Sequence, residues 1–137
     1  MKTAEIFAEL SHARRLHVGA IIVKDDRVIS IGYNGMPAGW DNNCEDVVQH
    51  SDDTTSLKTK PEVLHAETNA IAKLARSNES GLNADIFVTH APCLDCAKLI
   101  YQAGIKRVFF GTHYRDSAGV DFLTASGVVV EQIQKDA

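Results

Sequence analysis

The sequence predicts an α/β protein, a three-layer α-β-α sandwich on one five-stranded mixed sheet, and three observations predict it. Two β-rich runs, 18–23 and 28–33, flank the polar tetrad Lys24-Asp25-Asp26-Arg27, which is the pattern of an antiparallel hairpin. From residue 86 onward, three short apolar strands alternate with two helices, an order that implies parallel neighbours joined by right-handed crossovers. At 137 residues and 45% apolar content, the chain makes one domain, 1–137, which buries roughly two-thirds of its unfolded surface without disulfide staples.

The elements follow in order. Residues 3–13 carry Ile6, Phe7 and Leu10 at helical spacing beside Ala4 and Ala8, an amphipathic helix. The hairpin comes next, then the turn-rich segment Gly32-Tyr33-Asn34-Gly35-Met36-Pro37-Ala38-Gly39. Residues 41–60 show scattered polar side chains and no sustained period, so they read as a long loop of the kind that serves as a lid or stays irregular. The stretch 62–76 is rich in Ala, Leu, Glu and Lys, with Leu64, Ala70, Ile71 and Leu74 as its apolar stripe, and reads as a helix. A strand at 86–89 leads to a helix over 94–103, with Pro92 just before it and Gly104 ending it. A strand at 108–111, a helix at 118–125 and a strand at 128–131 complete the sheet. No repeat and no linker interrupts the chain.

Composition excludes several functions. Acidic residues number 18 against 14 basic, a net charge of −4, so no bulk field draws a polynucleotide and any bound phosphate must be held by a few placed cations. The longest apolar run, 18–23, is far short of the roughly twenty residues a membrane span needs. The first ten residues lack the apolar core of a secretion signal. Three cysteines cannot form a closed disulfide set, and that usage fits a reducing compartment, here the cytoplasm.

Two of those cysteines carry the chemistry. Cys93 and Cys96 sit at i and i+3 in a first helical turn, so their sulfurs share a face and can close on one ion. The helix N-terminus favours thiolate. His65, in His65-Ala66-Glu67 at the start of another helix, adds an imidazole. One imidazole and two thiolates make a three-donor zinc site with a fourth position open, the catalytic arrangement, and zinc brings the pKa of a bound water to about 7. Each part has a plainer reading: Cys-x-x-Cys as a redox pair, His65 as a structural histidine, Glu67 as a solvated helix residue. Taken jointly, His-x-Glu and Pro-Cys-x-x-Cys opening two helices in that order match the motif pair of the zinc deaminases.

With these residues in view, the chain resembles the cytidine/deoxycytidylate deaminase superfamily, and within it the deoxycytidylate (dCMP) deaminases of the small bacterial and phage type. Val18-Gly19-Ala20-Ile21-Ile22-Val23 with Gly32-Tyr33-Asn34-Gly35-Met36-Pro37-Ala38-Gly39, then His65-Ala66-Glu67-Thr68-Asn69-Ala70-Ile71, then Ala91-Pro92-Cys93-Leu94-Asp95-Cys96 carry the resemblance. Tyr114-Arg115-Asp116 matches more loosely. The zinc motif is common to the superfamily, and the Gly-Tyr-Asn-Gly segment narrows it to deoxycytidylate.

The resemblance implies hydrolysis of dCMP to dUMP and ammonia, which supplies dUMP for thymidylate synthesis. Water activated on zinc held by His65, Cys93 and Cys96 attacks C4 of cytosine, with Glu67 as general acid and base. It implies that Asn34, Gly35 and Ala66 hold base and sugar, that Tyr114 packs over the pyrimidine and that Arg115 lies near the 5′-phosphate. Many members place Ser-Arg-Asp or Ser-Lys-Asp where this chain has Ser11-His12-Ala13-Arg14-Arg15, leaving His12, Arg14, Arg15 and Arg115 as candidate phosphate cations. Regulated members are usually hexamers that bind dCTP with Mg2+ and dTTP. Cys44, with His50, His90 and His113, is a candidate donor set for a second, structural zinc, against the plainer reading of a single buried or loop cysteine. The competing functions are deamination of deoxycytidine, dCTP or an RNA base, and a catalytically silent zinc-stabilised assembly module.

Overall fold

Strands β1 (Gly19–Lys24) and β2 (Arg27–Tyr33) form the expected hairpin, with Ile21 opposite Ile31 and a register irregularity between Ile22 and Val23. Asp25 and Asp26 make the turn with positive φ, a conformation short acidic side chains tolerate. In this computed structural model, which describes residues 1–133, the chain continues through β3 (Glu45–Gln49), β4 (Thr55–Thr59), α2 (Ala66–Ala75), β5 (Asp85–His90), α3 (Leu94–Gln102), β6 (Arg107–Thr112), α4 (Ala118–Ala125) and β7 (Val129–Gln132), after an opening helix α1 (Lys2–Ala8). The main sheet has the order β2-β1-β5-β6-β7. Its β5-β6 and β6-β7 pairs are parallel and its β2-β1 and β1-β5 pairs antiparallel, so the mixed five-stranded sheet is as expected.

Register decides which residues make the core. Ala20 lies opposite Val88 and Ile22 opposite Ile86, while Ile86 and Val88 pair with Val108 and Phe110. All six are buried on one face, where Ala70, Leu74, Ala97, Ile100 and Leu123 from α2, α3 and α4 close over them. Side chains alternate across a strand, so Gly19 points to the opposite face, and there a Cβ would collide with the backbone of Ala4 and Ala8 in α1. Helices thus flank both sides of the sheet.

Three expectations are corrected. The first helix stops at Ala8 rather than reaching residue 13, because the Ser11 hydroxyl bonds the Asn34 carbonyl (2.7 Å) and receives the Ala13 N–H, an alternative to helical bonding. The helix expected over 62–76 begins only at Ala66. Leu64 is spent in a backbone bridge to Gly35, with N–H···O distances of 2.8 and 3.1 Å. The expected loop 41–60 contains a hairpin, β3-β4, registered from Glu45 opposite Thr59 to Gln49 opposite Thr55.

Candidate active site

The Gly35–Leu64 bridge sets where α2 starts, and its N-cap is His65. Directly beneath, Gly32 of β2 faces the first turn of α2. A Cβ there would run into the carbonyl oxygen of Ala66 and lie 2.7 Å from the nitrogen of Ala70. On the other helix, Cys93 is the N-cap of α3 and Cys96 lies within its first turn. Gly119 of α4 packs against this entry so closely that a Cβ would meet the Pro92 carbonyl and the Cys93 backbone. Two helix N-termini therefore converge, each bringing partial positive charge to the donors it carries.

His65, Cys93 and Cys96 are, among the described residues, the one group of three or more metal-type donors found together, with ligand atoms within 4.8 Å of one another. His65 Nδ1 lies 3.5 Å from Cys93 Sγ and 3.3 Å from Cys96 Sγ. Bonds of about 2.3 Å to sulfur and about 2.0 Å to nitrogen in a tetrahedron would place such donors about 3.5 Å apart. The donor set therefore fits zinc in both chemistry and spacing. Cys44 is not part of such a group. It is buried at the base of the β3-β4 hairpin, and its thiol faces the Asn42 carbonyl at 3.5 Å.

The three donors are electrostatically coupled. A hydrogen bond from the Cys96 thiol, and then one from His65, holds Cys93 down to about 4. The same bond to Cys93 pushes Cys96 up, and the His65 imidazole is raised by its bond to Cys93. Thr68 Oγ1 adds a contact to Cys96 Sγ at 3.5 Å. Glu67, one residue into α2 and 4% exposed, is pushed up to about 7, chiefly by burial. A carboxyl near 7 can both accept and release a proton at neutral pH.

These groups face a cavity of about 460 Å³, within the range of small-molecule sites. Of the residues the sequence singles out, His65, Cys93, Glu67, Ala66, Asn34, Tyr114 and Arg115 line it, as do Cys44, His90 and His113 of the candidate second donor set, while Cys96 is buried behind. Gly35 is not in the wall; its backbone is bridged to Leu64. The Asn34 amide is used by the backbone: Oδ1 accepts from Val18 N–H at 2.9 Å and Nδ2 donates to the Leu16 carbonyl at 2.8 Å. Tyr114 is half-buried, with the Arg115 guanidinium 5.9 Å from its ring centre. Of the candidate phosphate cations, Arg15 joins Arg115 in the wall, whereas His12 and Arg14 do not. Sequence reasoning missed Glu45 and Thr59, which also line the cavity from the β3-β4 hairpin.

Comparison with known proteins agrees with this geometry. The family model for the cytidine and deoxycytidylate deaminase zinc-binding region matches residues 1–112. ComE operon protein 2 of Bacillus subtilis is 37% identical over 141 residues, covering 99% of this chain and 70% of that protein. The deoxycytidylate deaminase of Schizosaccharomyces pombe is 35% identical over 136 residues, and the chain spans 42% of its length. Among solved structures, the dCMP deaminase of cyanophage S-TIM5 in complex with dCMP and dUMP superposes with a TM-score of 0.85 at 44% identity, over 96% of this chain and 92% of that one.

Proposed function

We propose that this protein hydrolyses dCMP to dUMP and ammonia, on the premise that the chain belongs to the cytidine and deoxycytidylate deaminase family. One observation carries the reading: a buried carboxyl poised near neutrality stands beside a zinc-type donor set, in a cavity whose wall also holds two arginines. Zinc on His65, Cys93 and Cys96, with one position open, would supply Lewis acidity that makes a water nucleophilic at neutral pH.

The chain's own groups do the rest. Glu67 accepts a proton from the attacking water as its oxygen bonds to C4 of the cytosine. It delivers that proton to N3, then takes the proton of the new C4 hydroxyl and passes it to the 4-amino nitrogen, so that the C4–N bond breaks, the C4 carbonyl forms and ammonia leaves. Burial keeps this carboxyl from ionising fully, so one group serves as base and then as acid. Tyr114 offers a flat apolar surface to the pyrimidine. Ala66, fully buried at the start of α2, brings backbone rather than side chain to the base. Asn34 fixes residues 16–18 at the cavity edge. Arg15 and Arg115 are the cations for the 5′-phosphate, the group that distinguishes a nucleotide from a nucleoside.

The same reading includes one catalytic zinc per chain, a homohexamer, control by dCTP with Mg2+ and by dTTP, a single functional domain over 1–137 and a cytoplasmic site of action. Family membership is the support for the oligomer and the effectors. The three free cysteines are consistent with a reducing compartment, and no helix among the described residues is long and apolar enough to cross a membrane. Ammonia release measured on dCMP, deoxycytidine and dCTP tests the substrate. The expected kcat/KM for dCMP exceeds that for deoxycytidine by about a hundredfold, the worth of two charge-assisted phosphate contacts. Equal turnover of the nucleoside, or preference for dCTP, would overturn the assignment.

A further inference from the structure

Between the end of α1 and the start of β1, residues 9–18 cross the cavity edge with no helix or strand of their own. A strap of this kind is ordered only if its backbone groups find partners. Two side chains from outside the strap supply four of them. Asn34 holds Leu16 and Val18 as described above, and Glu45, the first residue of β3, holds the strap at Arg14 and Arg15. Its Oε2 accepts both amide N–H groups, at 2.8 and 2.9 Å.

Glu45 is 1% exposed, an unexpected place for a carboxylate beside a cavity meant for an anion. Its charge is answered by Arg14, whose Nε lies 3.5 Å from Oε1 and whose Nη2 donates to the Glu45 carbonyl at 3.2 Å. Burial alone would raise its pKa, but the Arg15 and Arg14 amides and the Arg14 guanidinium outweigh burial and hold it below the ordinary glutamate value. Arg15 is treated differently. Among the described residues no acidic group lies within 4.0 Å of its guanidinium, whose Nη1 donates to the Thr59 hydroxyl at 3.1 Å. Thr59 is the residue directly opposite Glu45 in the β3-β4 ladder. One cross-strand pair thus grips Arg15 at both ends, Glu45 at its amide and Thr59 at its guanidinium.

We infer that Glu45 is a positioning residue for the 5′-phosphate subsite: it neutralises Arg14, fixes the backbone of Arg15 and so presents the Arg15 charge, unpaired, to the nucleotide. The inference rests on the proposed reading of Arg15 as a phosphate cation. It assigns to the hairpin a part in choosing nucleotides over nucleosides without contact with the reacting base.

The test compares dUMP with deoxyuridine in equilibrium binding, and dCMP with deoxycytidine in turnover, for the zinc-loaded full chain and its variants. Arg15→Ala should weaken dUMP binding and lower the preference for dCMP over deoxycytidine by about tenfold, the worth of one charge-assisted contact. Glu45→Ala should lower that preference by a similar factor, mainly through KM for dCMP, and should add little in the Arg15→Ala background. Glu45→Gln, which keeps an acceptor oxygen for the two amides, should recover part of the loss. Thr59→Val, at an exposed hydroxyl where folding is not at stake, should lower the preference about threefold, a fraction of one hydrogen bond. If Arg15→Ala lowers the preference while the Glu45 variants either weaken nucleotide and nucleoside alike or fail to fold, and Thr59→Val has no effect, the inference is overturned and the phosphate reading stands. If Arg15→Ala leaves the preference intact, the phosphate reading fails at Arg15 and the inference with it.

Discussion

His65, Cys93 and Glu67 stand at the N-termini of helices pressed onto glycines, Gly32 beneath α2 and Gly119 beside α3. Arg14, Arg15 and Leu16 hang on a strap tied by the side chains of Glu45 in β3 and of Asn34, just beyond the end of β2. In the first region backbone meets backbone over a buried apolar core, and donor positions are fixed by packing. In the second, most residues are exposed and position depends on a few polar contacts, each worth about 1–3 kcal/mol when it involves a charge. The candidate reacting groups therefore sit where backbone packing fixes their positions. The groups that would select among cytosine substrates belong to a part that can change without disturbing the chemistry.

Breaking the rigid region should cost most. Cys96→Ser replaces a buried sulfur of the candidate donor set and is expected to abolish both bound zinc and ammonia release, read by metal analysis alongside the activity assay. A variant with full zinc content and native turnover would remove Cys96 from the donor set. Gly32→Ala drives a Cβ into the first turn of α2. It should destabilise the fold by about 1–3 kcal/mol, seen as a drop of several degrees in melting temperature, with a loss of activity as His65 and Glu67 shift. An unchanged melting temperature would show that α2 has room to move.

The smallest expected effect concerns the rim and its pH dependence. Glu45 is held below its ordinary value, whereas in the unfolded chain it titrates near about 4.3. A depressed folded value means the stabilisation is complete above the unfolded pKa and is lost as pH falls through the folded one. The difference in melting temperature between the native chain and Glu45→Gln should thus be widest near neutrality and close below about pH 4. A gap that stays constant down to pH 3 would mean that the carboxylate charge is not what ties the strap.

The two regions also differ in how far the sequence reveals them. The run β5-α3-β6-α4-β7 is legible because short apolar strands alternate with helical stretches, and Pro92 and Gly104 mark the bounds of α3. The candidate metal donors are legible because Cys93 and Cys96 are close in sequence and the His65-Ala66-Glu67 segment is compact. The β3-β4 hairpin is not, since both its faces meet solvent and Val47 is 64% exposed, leaving no alternation to read. Nor is the late start of α2, because the competing partner of Leu64 is Gly35, distant in sequence. Glu45 reads as one more acid in a polar stretch until its contacts with Arg14 and Arg15, 31 and 30 residues away, are seen.

Glu67→Gln tests the central claim most directly, in an ammonia-release assay with dCMP on protein whose zinc content has been measured. The substitution keeps size and shape and removes the proton-carrying carboxyl, so zinc and folding should be retained while turnover falls by about 10²–10⁴-fold. Release of ammonia from dCMP at the native rate by a zinc-loaded Glu67→Gln protein would contradict the account.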